Sequence, residues 1–173
     1  NIYSINAYQV NKEGFRMNVL YQDDRTGNEI NYIPERQGPV ADKQLIQLLN
    51  LDNVNSQLDA TPDGQFDFIP GITIDPSNGK IIFPVLQPFG NYLEDQFSSQ
   101  AIAEKYIFPE LYDSTLTLAR QTAEKNKFKL KGEYQSSSSS EIPLNAMNIP
   151  QGSVVVTANG RKLEENIHYT VDY

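Results

Sequence analysis

Turn-forming residues interrupt this chain so often that no long regular element fits into it. Ten prolines and ten glycines stand among its 173 residues. Proline lacks a backbone donor and glycine admits turn conformations, so each marks a place where a helix or a ladder tends to stop. Between these breaks lie short stretches in which apolar and polar residues alternate. Phe15-Arg16-Met17-Asn18-Val19-Leu20-Tyr21 and Glu29-Ile30-Asn31-Tyr32-Ile33 flank the polar Asp23-Asp24-Arg25-Thr26-Gly27-Asn28 and predict a β-hairpin. Phe66 to Ile74 and Lys80 to Val85 predict a second, closed by Asp75-Pro76-Ser77-Asn78-Gly79, where proline presets φ and Asn-Gly tolerates a left-handed backbone. Pro70 and Pro84 end those strands or hold them at an edge. Phe128 to Tyr134 alternates as a further strand.

Helical signals are fewer. Near 42–50, Asp42 is a candidate cap for a short helix whose Leu45, Ile46, Leu48 and Leu49 lie mostly on one face. Across 91–127, Leu93, Phe97 and Ile102 and then Leu116, Ala119 and Ala123 predict two helices, with Pro109 between them and Asp113 or Ser114 as a cap. The expected fold class is therefore mainly β with accessory helices (α+β). Its parts are a β-sandwich-like domain over 1–135, a Ser-rich linker or loop over 136–141, and a small β unit over 142–173. In the last of these, Val154 to Thr157 and Tyr169-Thr170-Val171-Asp172-Tyr173 read as strands and Asn159-Gly160 as a tight turn. A start at Asn1 without an initiator Met and a stop within a strand fit an internal piece of a larger protein. On that expectation the final strand is an exposed edge that recruits a neighbouring chain or frays.

Composition narrows the function classes. The formal charge is −8 and Lys and Arg are scattered, so no basic stripe is available to neutralise a phosphate backbone or an anionic lipid surface. Nucleic acid is not an expected partner. Apolar runs such as Ile81-Ile82-Phe83 fall far short of the roughly 20 residues that cross a bilayer as a helix, so the segment is not expected to span a membrane. The absence of cysteine removes thiol nucleophiles, thiolate metal sites and disulfides together. A chain of this length can bury roughly 70% of its unfolded surface, so it needs none of them to fold.

No catalytic residue and no cofactor are expected. The only histidine is His168, in a predicted strand, with no base-and-nucleophile arrangement around it. Neither a histidine pair for zinc nor a glycine-rich nucleotide loop occurs. One constellation has metal-like spacing: Asp59, Asp63 and Asp67 recur every four residues around Gly64, and calcium takes six to eight oxygens. It departs from the EF-hand pattern, and the competing expectation is a loop whose aspartates bond its own backbone. Tyr3, Tyr8, Tyr21 and Tyr32 fall at strand positions, which leaves a carbohydrate-binding or adhesin-like β-sandwich at the cell surface as the alternative function.

Longer blocks carry a resemblance. Asn31-Tyr32-Ile33-Pro34-Glu35, Pro62-Asp63-Gly64-Gln65-Phe66-Asp67, Ile74 to Val85, Pro88-Phe89-Gly90, Glu110 to Thr115, Glu124 to Phe128, Glu141 to Pro150, Gly152-Ser153-Val154 and Tyr169 to Tyr173 follow one another in an order that resembles the SprA family. That family comprises the gliding-motility and type IX secretion proteins of Bacteroidota. The resemblance implies a very large outer-membrane β-barrel translocon, of which this segment would be an internal, non-barrel insertion. It implies a structural rather than catalytic role and a place in the bacterial cell envelope, with the segment periplasmic or extracellular. The implied partners are the rest of the parent barrel, outer-membrane partner proteins and secreted cargo. Barrel strands run about ten residues with one apolar face, and such strands are missing from this sequence.

Overall fold

The computed structural model describes residues 1–135, 144, 146, 148–158 and 160–171. The chain divides into two compact units, Asn1–Ser138 and Ser139–Tyr173. The first combines two small antiparallel sheets with a few short helices, an α+β arrangement. The serine run 136–140 lies outside the described residues.

One sheet of the first unit is built on β2 (Arg16–Gln22), flanked by β3 (Glu29–Ile30) and β6 (Phe128–Glu133). Alternation makes β2 central, because Met17, Val19 and Tyr21 are buried while Arg16, Asn18 and Gln22 are exposed. Its register runs from Arg16 opposite Glu133 to Tyr21 opposite Phe128, and Tyr21 also faces Ile30. The predicted first hairpin is thus present, closed by bonds between Asp23 and Asn28 (2.9 Å) and between Gly27 and Asp23 (2.7 Å). Its second strand stops at Ile30 because the Asn31 carbonyl accepts from Leu45 N–H, handing the chain to α1 (Leu45–Leu48).

The other sheet has the order β1 (Ile2–Ser4), β5 (Lys80–Ile82), β4 (Ile74–Asp75). The second hairpin is shorter than predicted. Phe66 to Thr73 is loop, because its polar Asp67 and Thr73 go inside while Ile72 stays 56% exposed, the reverse of the strand pattern. The turn itself forms as expected: Asn78 N–H and Nδ2 both donate to the Asp75 carboxylate, and Gly79 takes a φ of +56°. A Cβ at Gly79 would lie 1.9 Å from the Ala7 carbonyl, since residues 5–10 wrap the turn and donate to the Gly79, Ser77 and Pro76 carbonyls.

The helical region departs most from expectation. Leu45, Ile46, Leu48 and Leu49 are buried as predicted, but Asp42 has a φ of +57° and Gln44 takes the cap position of α1. The two helices expected over 91–127 are four short ones: α2 (Asn91–Glu94), α3 (Gln100–Ala103), α4 (Glu110–Asp113) and α5 (Leu116–Gln121). Pro109 sits at the N-cap of α4, and it is Thr115, not Asp113 or Ser114, whose hydroxyl caps α5 by accepting from Leu118 N–H at 3.3 Å. No helix among the described residues is long and apolar enough to cross a membrane.

Both sheets share one core, and Phe89 joins them. Its ring lies 5.7 Å from Tyr3 of β1, 5.5 Å from Phe83 and 4.7 Å from Phe128 of β6. Around this cluster Val19, Leu45, Leu49, Ile74, Ile81 and Leu93 are fully buried. Each contributes about 1.5–3 kcal/mol relative to exposure.

In the second unit, β7 (Thr157–Ala158) and β8 (Arg161–Lys162) pair antiparallel, and Gly160 just before β8 has a φ of +78°. Asn159 lies outside the described residues. The predicted strand from Val154 begins only at Thr157. Tyr169 makes an isolated parallel bridge to Glu165 and residues 170–171 are coil, so the strand expected from Tyr169 is not formed over the described residues; 172 and 173 lie outside them.

Truncating the shared ring tests this architecture. We expect Phe89→Ala to cost about 3–5 kcal/mol in urea unfolding and Phe89→Leu clearly less. A loss below 1 kcal/mol for the alanine variant would show that the two sheets do not depend on this ring.

Candidate functional site

The loop between α1 and β4 holds three of the buried polar side chains found among the described residues. Asp52 is 1% exposed, Asp67 7% and Thr73 2%. A buried carboxylate needs donors, and here the backbone supplies them. Asp52 accepts from Asp63 N–H (3.0 Å), Gly64 N–H (2.9 Å) and Gln47 Nε2 (3.0 Å). Asp67 accepts from Asn53 N–H (2.6 Å) and Val54 N–H (3.2 Å), while its own carbonyl accepts from the Thr73 hydroxyl. Burial pushes the Asp67 carboxyl above its ordinary range; the two backbone bonds pull the other way, and the charges of Asp52 and Asp63 add to the rise.

Of the calcium candidates, Asp59, Asp63 and Asp67, each serves a different turn. The Asp59 carboxylate accepts from Asn55 Nδ2 (3.2 Å) and the Asp63 carboxylate from Gln65 N–H (3.0 Å). Among the described residues, no group of three or more His, Cys, Asp or Glu side chains is placed to hold a metal ion. Asp52, which organises the loop, was not singled out by sequence: it looks like any other residue of an Asn/Asp-rich stretch.

His168 lies in a turn rather than a strand, and its Nδ1 accepts from Glu164 N–H at 3.2 Å. The four tyrosines separate. Tyr3 donates to or accepts from the Tyr112 hydroxyl at 2.9 Å, and Tyr21 packs between Tyr106 and Phe128, its hydroxyl pushed up to about 12, chiefly by burial. Tyr8 is half-buried and Tyr32 is 48% exposed.

A cleft of about 290 Å³ opens beside the ends of β1 and β6, between Ser4–Asn6, Phe15–Met17, Leu130 and Gly132–Tyr134. Tyr134, 48% exposed, and Arg16 stand at this cleft, and Phe15, which also lines it, packs against Phe66 (5.4 Å) and Phe68 (5.2 Å). It is open and of mixed polarity, a shape suited to a side chain of a docking segment more than to an enclosed substrate. Comparison with protein-family models and with curated protein sequences finds no match.

The loop's chemistry makes two measurable statements. Asp52→Ala orphans three donors, and we expect it to cost about 2–4 kcal/mol in urea unfolding, with Asp59→Ala costing under 1 kcal/mol. Because the Asp67 pKa is raised on folding, its contribution is fully present below the ordinary aspartate value of 3.8 and is lost as pH rises above it. Wild type should therefore lose stability relative to Asp67→Asn as pH is raised from 3.8. A constant difference between the two proteins across that range would exclude this.

Proposed function

We propose that this chain is a non-catalytic, architectural domain of an SprA-like outer-membrane translocon for type IX secretion and gliding motility. The observation that carries the reading is the ordered run of blocks from Asn31 to Tyr173 described above, which spreads over most of the chain. The geometry agrees with it in kind. The buried carboxylates Asp52 and Asp67 bond the chain's own backbone, and most of the buried apolar side chains of the larger unit cluster in one core. Such features hold a shape; they do not present a reactive group.

On this reading the segment lies outside the bilayer, on the periplasmic or extracellular side of the outer membrane. Its two sheets form the halves of a sandwich-like core with Phe89 between them. Its partners are the rest of the parent barrel, outer-membrane partner proteins and secreted cargo. Main-chain edges and rim side chains would make those contacts.

The test is an immunoblot of fractionated source cells with antibody to this chain, with and without protease on intact cells. A very large outer-membrane band is the expected result, and protease sensitivity then assigns the outer or inner face. A band near the 19.5 kDa of the chain itself in a soluble fraction would overturn the reading.

A further inference from the structure

The strand β6 is an edge. Its only ladder partner among the described residues is β2, and its six residues make it long for an edge strand of so small a sheet. The ladder's phase fixes which groups remain outside it. Gln22 N–H donates to the Lys127 carbonyl at 3.0 Å, so in the register 16 opposite 133 the hydrogen-bonded pairs are those of Lys127, Lys129, Lys131 and Glu133. The N–H and C=O groups of Phe128, Leu130 and Gly132 consequently turn away from β2. Among the described residues, none of them is bonded to another backbone group beyond the ladder.

Two side-chain features say what would pair there. The first is charge. Lys129 and Lys131 stand on the solvent face of β6, and both reach the single carboxylate of Glu29, at 2.7 and 3.3 Å, so that among the described residues two positive charges share one negative one in a chain of net −8. A second copy of β6 paired antiparallel about Leu130 would set Lys129 against Lys131 and is disfavoured. A strand with acidic residues at alternate positions meets both lysines. The second is space. An added Cβ at Gly132 would lie 2.0 Å from the Arg16 carbonyl, so no side chain fits at that position, and Gly132 borders the 290 Å³ cleft that Tyr134 also lines. An edge glycine of this kind is complemented by an aromatic ring supplied from the strand across from it.

We infer that β6 is a strand-addition site for an extended peptide that carries acidic residues opposite Lys129 and Lys131 and an aromatic residue opposite Gly132. Main-chain bonds to Phe128, Leu130 and Gly132 would supply affinity, and the lysines and the cleft would supply register and specificity. The inference stands on this edge alone and does not depend on the identity of the parent protein.

The experiment uses the full chain and the capped hexapeptide Lys-Phe-Glu-Val-Glu-Val, whose order places Phe opposite Gly132 and the two glutamates opposite Lys131 and Lys129 in an antiparallel pairing. Saturable binding by NMR titration is expected, with new exchange protection at the Leu130 and Gly132 amides. N-methylation at Phe and the first Val should abolish it, because those amides face β6, while N-methylation at the two glutamates should be tolerated. The double variant Lys129→Glu, Lys131→Glu should weaken binding about tenfold. Loss of binding in that variant is read only if its urea midpoint is retained, and the N-methyl pair gives the same answer on wild-type protein. Equal effects of the two N-methylation patterns, no saturation at millimolar peptide, or sedimentation as a dimer through this edge would each overturn the inference.

Discussion

Phe89 is the point at which two sheets, each too small to be stable alone, share a core. Isolated two- and three-stranded antiparallel sheets need a packed face to persist. In the larger unit, β1 and β5 supply Tyr3 and the neighbouring Phe83, and β2 and β6 supply Tyr21 and Phe128, and among the ring contacts of the described residues these sets are linked through Phe89. Phe89 comes from a loop, which explains why a residue of no regular element can control packing. Its backbone is held by the same network, since its N–H donates to the Tyr112 hydroxyl (3.0 Å) and its carbonyl accepts from Phe108 N–H (2.7 Å). Burial of the Tyr3 and Tyr112 hydroxyls raises both, so the pair stays neutral and keeps its mutual bond.

A chain with so much loop must find partners for backbone groups that no ladder or helix satisfies. Here short polar side chains provide many of them. Asp52 bridges two stretches of chain eleven and twelve residues apart by accepting from Asp63 and Gly64, and Asp67 does the same for Asn53 and Val54. Asn55 closes a tighter turn, accepting from both Gln57 and Asp59 N–H groups. Within this Asn/Asp-rich loop, Asp52, Asp63 and Asp67 are thus partners of backbone donors, and Asp59 of the Asn55 side chain. This is the ordinary chemistry of Asx turns extended into a buried setting.

What was legible in the sequence was whatever a single buried face enforces locally. Met17, Val19 and Tyr21 had to share one side of a strand, and Leu45, Ile46, Leu48 and Leu49 one side of a helical turn, and both patterns survive in the structure. What was not legible depended on distant partners. Ile2–Ser4 is three residues long and becomes a strand only because β5, nearly eighty residues away, receives it. Phe66 to Thr73 alternates like a strand, yet the donors at Asn53 and Val54 draw Asp67 inward and defeat the pattern. Residues 91–127 have helical spacing, but Phe97 stacks on Tyr106 and Ala103 and Phe108 are buried, so the chain bends repeatedly to bring its apolar residues to one core instead of continuing one axis. Asp52 was invisible for the same reason: its role is defined by Asp63 and Gly64 arriving at it.

The same reasoning separates the two ends of the β3-β2-β6 sheet. At the β3 end the chain leaves the ladder at Ile30, and the residues just after it are paired, through the Asn31 to Leu45 bond and the bridge between Tyr32 and Gln44. At the β6 end no described strand pairs with the outer side. Instead the exposed face carries Lys129 and Lys131 tethered across the sheet to Glu29, whose carboxyl they hold below its usual range. Lysines on an open edge repel a like strand and so keep identical copies apart. They do not repel an acidic one. An edge that is left open yet charged, next to a glycine that no side chain can replace, discriminates among partners, whereas an edge meant only to be silent would gain more from being paired, as the residues following β3 are.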